Sequence, residues 1–254
     1  DHGQGADAGA VGTAHEALRP MGVSPERLKF TWPDMVNPPV SGPAGGSRSQ
    51  VMTGNAIRVA CENMLAGLGQ PDGGFMDYDQ AKAAGKPLRY DGTFSVPGVP
   101  LNEKGQGRPF MVYMYGVCMA ELTVETATGK VTVDKITMMA DIGKVNNKLV
   151  TDGQLWGGIT QALGLALSED FEDIEKHASL IGGGFPFIKD VPDNIELNYF
   201  ETPREYGPFG AAGVGELPLV VPHQAIINGI YQACGARVTR IPATPERVLE
   251  AMPR

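Results

Sequence analysis

Asp141–Gly164 reads DIGKVNNKLVTDGQLWGGITQALG. Asp141-Ile142-Gly143 closes a stretch of alternating residues, and Asn147–Leu167 carries its apolar residues at helical spacing. A strand that stops and a helix that starts within a few residues imply a fold mixing both. The helix contains Gly153, Gly157, Gly158 and Gly164. Each costs about 1 kcal/mol against alanine in a helix interior. Such glycines make sense where the backbone must lie close to another segment or to a ligand.

Upstream, Met111–Glu125 alternates, Thr128-Gly129 turns the chain, and Lys130–Met139 returns as the second arm of a hairpin. Gly69–Gly107 is a long polar excursion with room for one hairpin. Gln50–Leu68 reads as a strong helix, with Ile57, Cys61, Met64, Leu65 and Leu68 on one face. Before it come a loop, Pro33–Gly46, a short strand, Leu28–Trp32, and a helix, Ala6–Leu18, ended by Pro20. Downstream, Leu180–Asp193 and Thr202–Gly215 are Gly/Pro loops around a strand, Ile195–Glu201. Leu217–Gly235 is expected as one helix with Pro218 in its first turn, and Ala243–Met252 as a short helix capped near Thr244-Pro245. The order reads α+β, as two packed subdomains. The end of the hairpin places their boundary between residues 143 and 144, giving 1–143 and 144–254.

A chain of 254 residues can bury about 70% of its surface. Its 42% hydrophobic and 20% charged content is that of a globular protein. The 34 glycines and 20 prolines make up a fifth of it, against the usual level of about 12%. No repeat absorbs them, so they belong to ordered loops, where sites are commonly built. A net charge of -8 argues against a nucleic-acid surface, and no apolar run reaches the roughly 18 residues that cross a membrane. Cys61, Cys118 and Cys234 lie far apart, which excludes a metal site made of cysteine pairs and suits a reducing compartment. The cytoplasm is the expected location, with the periplasm left open.

Four glycine-rich segments stand directly before helices: His2–Asp7, Gly42–Gln50, Asp141–Gln154 and Gly210–Glu216. A helix start preceded by glycines offers backbone N–H groups to an anion. Any one of them serves helix packing as readily as ligand binding. Four together, with Gln4, Arg48, Gln50 and Gln154 as donors, point to one large polyanionic ligand. Glu216, in GAAGVGELPL, has two readings. It is a charge at a helix start, which local sequence favours, or a general base whose apolar neighbours oppose ionisation. His15 and His177 read as solvated and His223 as structural. The cysteines and the 11 methionines read as core, and Glu169–Lys176 (EDFEDIEK) as a solvated turn or helix face.

HGQGAD, SGPAGGSRSQ, DIGKVNNKLVTDGQLWGGITQALG and GPFGAAGVGELPLVVPHQAIINGI follow one another in an order that resembles the C-terminal part of the molybdenum-binding domain of the xanthine oxidase family of molybdenum hydroxylases. The likeness covers the whole chain and is greatest to bacterial aldehyde oxidoreductases of sulfate reducers. It implies a molybdenum pterin cofactor, in bacteria usually molybdopterin cytosine dinucleotide, whose metal needs no protein side chain as ligand. It also implies oxidation of aldehydes to carboxylic acids with water as the oxygen source. By this resemblance Glu216 is the base that deprotonates the metal-bound hydroxyl. Gln4, Gly5, Ala6 and Asp7 form one cofactor loop and Gly45, Gly46, Ser47, Arg48 and Gln50 a second. Gln154 and the run Gly213, Val214 and Gly215 also contact the cofactor, with His2 near the metal. The family further needs two [2Fe-2S] clusters and the first half of the molybdenum domain, which three scattered cysteines cannot supply. The chain is therefore expected to be a fragment, a cleaved piece or one chain of an assembly. Its partners would be a complementary polypeptide carrying those parts and a small aldehyde substrate, with a homodimer left open. The alternatives are a related hydroxylase of N-heterocycles or of carbon monoxide, and a non-catalytic polyanion-binding module.

Overall fold

In a computed structural model, residues 1–31, 36, 38–96 and 98–253 are described. The chain divides into two units that take it in turn. Asp1–Tyr113, Ile142–Thr151 and Glu201–Gly213 make the first, and Met114–Asp141, Asp152–Phe200 and Val214–Arg254 the second. The single cut expected between residues 143 and 144 does not coincide with these units. The hairpin that ends at Asp141 is hydrogen-bonded to a strand near residue 200, so it goes with the later part of the chain.

In the first unit, α1 (Ala6–Ala17) and α2 (Ser49–Leu68) pack on each other. Ala17, Leu18 and Cys61 are buried where they meet, surrounded by Ile57, Met64 and Leu65 of the apolar face read from sequence. Leu28 joins this core from a segment with no strand partner among the described residues, and Leu28–Thr31 are irregular instead of the expected strand. Trp32 lies outside the described residues, as do residues 33–35 and 37 of the expected loop. The excursion after α2 holds a helix that sequence periodicity missed, α3 (Tyr78–Ala83). Six residues are too few to show a period. Its signal is the capping pair: the Asp77 carboxylate accepts from the Gln80 N–H at 2.8 Å, and the Gln80 side chain accepts from the Asp77 N–H at 3.0 Å.

In the second unit, β1 (Tyr115–Glu125) and β2 (Lys130–Asp141) form the expected antiparallel hairpin, with a bulge at Glu121/Leu122. The next helix, α4 (Lys148–Leu167), begins in the first unit and lies mostly in the second. It is the crossover that a parallel pairing needs, and β3 (Asn194–Phe200) then lies parallel to β2. Ile136 and Met138 of β2 and Leu155 and Ile159 of α4 are fully buried. The expected helix Leu217–Gly235 is two helices, α5 (Leu217–Val220) and α6 (Pro222–Cys234). Pro222 has no N–H to continue the ladder, so it starts a helix rather than extending one. α6 lies on β1, with Gly229 close against Leu122. The last helix, α7 (Pro245–Ala251), is capped by the Thr244 hydroxyl, as its Thr-Pro entry implied.

Candidate functional site

The first glycine-rich segment begins α1. Gly3 and Gly5 have positive φ, and Gly5 is the N-cap. This turns the N–H groups of Gly3, Gly5 and Asp7 onto one carboxylate, that of Asp1, at 2.6, 3.4 and 2.9 Å. A negative group is held where a helix start favours one. Gln4 folds back, its side-chain oxygen accepting from the His2 N–H at 2.6 Å, and His2 is exposed.

The second segment, Gly45–Gln50, precedes and opens α2. Ser47 has φ +55, uncommon for a non-glycine residue and often found at functional sites. Nothing lies within 4 Å of where a side chain at Gly45 or Gly46 would begin. The Arg48 guanidinium donates to the Ser41 and Pro43 carbonyls at 2.9 and 3.0 Å, lacing its own loop. Gln50 donates to the Thr13 hydroxyl and accepts from the Asn146 amide, both at 3.3 Å. Asn146 also donates to the Gly9 carbonyl at 2.8 Å. Arg48 and Gln50 thus hold the loops in place as well as standing among the expected ligand donors. Asn146 and Thr13 were not singled out from sequence. They are ordinary polar residues whose role appears only when α1, α2 and the 142–147 segment meet.

Pieces of the third and fourth segments join the same unit. The Ala212 N–H donates to the Ile142 carbonyl at 2.9 Å, and the Lys144 N–H to the Gly210 carbonyl at 3.0 Å. At Gly213 a β-carbon would collide with the Ser47 carbonyl, so only glycine lets these two loops touch. Phe209, between them in sequence, has φ +52. A cavity of about 440 Å³ borders these segments, lined by Thr13, Gln50, Asn146, Phe209 and Ala211 among others. The first unit therefore gathers part of every glycine-rich segment.

Gln154, Val214, Gly215 and Glu216 belong to the second unit. Beside Gln154 on α4, Gly153 and Gly157 leave open space where side chains would lie. Two residues earlier, the Asp152 carboxylate accepts from the Tyr199 hydroxyl of β3 at 2.5 Å. Burial and this carboxylate push the Tyr199 hydroxyl well above its ordinary pKa. Glu216 precedes α5 with its side chain exposed, and that side chain does not cap the helix. Its backbone is fixed by its neighbours. Leu217 and Pro218 are buried, Leu217 against Gly116 of β1 and Pro218 against Gly158 of α4. The carboxylate is thus presented from a rigid base.

The other candidates fall as follows. His223 has Nδ1 3.3 Å from the Leu219 carbonyl, a local helix contact. His177 is largely buried rather than solvated, its Nδ1 accepting from the Asp173 N–H at 3.2 Å. Glu169–Lys176 is not a helix face: it is irregular up to Asp173 and turns from Ile174, with Glu169, Asp170 and Asp173 partly buried rather than solvated. Cys61 is buried in the core, and burial pushes the Cys118 thiol up to about 11. Among the described residues, no three His, Cys, Asp or Glu side chains are grouped to hold a metal ion, and no helix is long and apolar enough to cross a membrane.

A family model described as the molybdopterin cofactor-binding domain matches residues 1–192. The chain belongs to this family. Among curated proteins, it is 61% identical to the aldehyde oxidoreductase of Megalodesulfovibrio gigas, over 99% of this chain and 28% of that one. The crystal structure of the aldehyde oxidoreductase of Desulfovibrio desulfuricans superposes with a TM-score of 0.96 at 61% identity, over 100% of this chain and 28% of that one. Xanthine dehydrogenase/oxidase of Gallus gallus is 26% identical over 92% of this chain and 19% of its own length. The chain thus spans little more than a quarter of the aldehyde oxidoreductases it matches. The α+β reading and the resemblance to molybdenum hydroxylases both hold.

Proposed function

We propose that this chain forms part of a molybdenum hydroxylase that oxidises aldehydes to carboxylic acids with water as the oxygen source. The observation that supports the reading is that the first unit gathers part of each of the four glycine-rich segments, beside backbone N–H groups that already hold a carboxylate. The 61% identical relatives are named aldehyde oxidoreductases, which supports an aldehyde as the substrate.

The donor set fits a phosphate-bearing cofactor. The Asp1 carboxylate stands in for a phosphate oxygen at the start of α1, and the bare backbone at Gly45 and Gly46 leaves room for a ligand. Molybdopterin cytosine dinucleotide, with its pyrophosphate, is the form this arrangement suits. Gln4, Gly5, Ala6, Asp7, Gly45, Gly46, Ser47, Arg48, Gln50, Gln154, Gly213, Val214 and Gly215 would hold it, with His2 close by. When bound, the cofactor supplies the two-electron oxidant for the substrate carbon.

Glu216 supplies the base. An exposed carboxylate on a backbone clamped by Leu217 and Pro218 can accept a proton during oxidation and pass it to solvent. In the complete enzyme, Glu216→Gln keeps the shape and removes the proton acceptor. Turnover should fall about 10²–10⁴-fold with molybdenum content unchanged. Near-normal turnover with bound molybdenum would remove Glu216 from this role. The [2Fe-2S] clusters and the rest of the molybdenum domain belong, on this reading, to complementary polypeptide.

A further inference from the structure

Phe209 stands in the left-handed backbone region, with φ +52 and ψ +28. A bulky side chain is strained there, and the strain persists only where the surroundings hold the backbone. Here they do. The Gly210 carbonyl accepts from the Lys144 and Arg204 N–H groups, each at 3.0 Å, and the Pro208 carbonyl accepts from the Ala211 N–H at 3.0 Å. Pro208 is buried against Gly54 of α2, where a β-carbon would collide with it. Asn55 of α2, itself buried, donates to the Tyr206 carbonyl at 2.8 Å. The backbone is therefore fixed on both sides of Phe209. Core packing does not account for this, because the ring is 44% exposed. Strain that is held in place without a packing gain points to a use for the ring.

The ring borders two cavities of the first unit. The larger, of about 570 Å³, is lined by Phe94, Tyr206 and Phe209 with Arg58 and Arg204 among others. The smaller is the cavity of about 440 Å³ beside the glycine-rich loops, with Thr13, Gln50 and Asn146 in its wall. Among the described residues, Phe209 is the only one that lines both. Three aromatic rings stand on one side of it, and a hydroxyl and two amides on the other. That sequence of surfaces suits a molecule with an apolar body and a carbonyl head, the body against the rings and the head toward the donors. We propose that Phe209 is a specificity-determining residue, the partition between the two cavities that sets how bulky an aldehyde can pass to the glycine-rich loops. This inference rests on the proposed function, which supplies the aldehyde.

Steady-state kinetics of the complete enzyme on acetaldehyde and 2-naphthaldehyde test it, with molybdenum measured in each preparation. The quantity read is kcat/KM for naphthaldehyde over that for acetaldehyde. Phe209→Ala should raise this ratio about tenfold, chiefly through KM for the bulky aldehyde, and Phe209→Trp should lower it by a similar factor. Phe209→Gly removes the ring and the backbone strain together. It should fold even where Phe209→Ala does not, and show the same raised ratio. A ratio that is unchanged or moves the other way in folded, molybdenum-loaded variants overturns the proposal. So does an equal change for both aldehydes, which is what a purely structural residue would give. Unaltered enzyme that carries molybdenum but oxidises neither aldehyde rejects the functional reading, and the size selection with it; an active enzyme with an unmoved ratio rejects the size selection alone.

Discussion

Gly213 and Gly45 separate two uses of glycine at the scale of single residues. At Gly213 a side chain would meet the Ser47 carbonyl, so the residue is needed for the loops to close. Gly213→Ala should destabilise the chain by about 1–3 kcal/mol in urea unfolding. At Gly45 nothing is near, and φ is not in the left-handed region. Gly45→Ala should shift stability by no more than about 0.5 kcal/mol, yet lower molybdenum content in the complete enzyme if the cofactor lies against that backbone. A stable Gly45→Ala enzyme with full metal content would place the ligand elsewhere. Sequence marked both glycines equally, because a residue without a side chain looks the same whether a neighbour or a ligand fills the space. Glu216 was the reverse case. Its sequence showed both the helix start and the apolar flanks, and the structure shows those flanks holding the backbone while the carboxylate stays exposed.

Asn146 is the joint between elements in the first unit. Its amide reaches the Gly9 carbonyl of α1 and Gln50 of α2. Asn146→Ala leaves those groups short of a partner and should cost about 1–3 kcal/mol, measured by thermal or urea unfolding; an unchanged midpoint would show that water replaces it. In the second unit, Tyr199 of β3 ties to Asp152 of α4. The folded protein holds the Tyr199 proton more tightly than the unfolded chain does, so this contribution is present below the ordinary tyrosine pKa of about 10 and is lost as pH rises past it. Urea unfolding from pH 8 upward should show stability falling at alkaline pH, and Tyr199→Phe should lack that part of the slope. Helices with several turns were legible: α1, α2, α4 and α7 begin and end within a few residues of their sequence readings. What sequence missed were short or relational elements. α3 has too few turns for a period, and Leu28–Thr31 has strand-like composition but no strand to pair with among the described residues.

Across the whole molecule, the interleaving of the two units was not legible. It depends on β3 joining β2 in parallel, a pairing between residues about sixty apart that no local pattern records. The glycine and proline excess was a better guide. Gly3, Gly5, Gly45, Gly46, Gly210 and Gly213 became loops that the first unit gathers. The most direct test of the central claim is metal analysis with cofactor extraction from the complete native enzyme. The account predicts molybdenum in stoichiometric amount together with a pterin cytosine dinucleotide. Enzyme purified with a bound nucleotide and no molybdenum would contradict it.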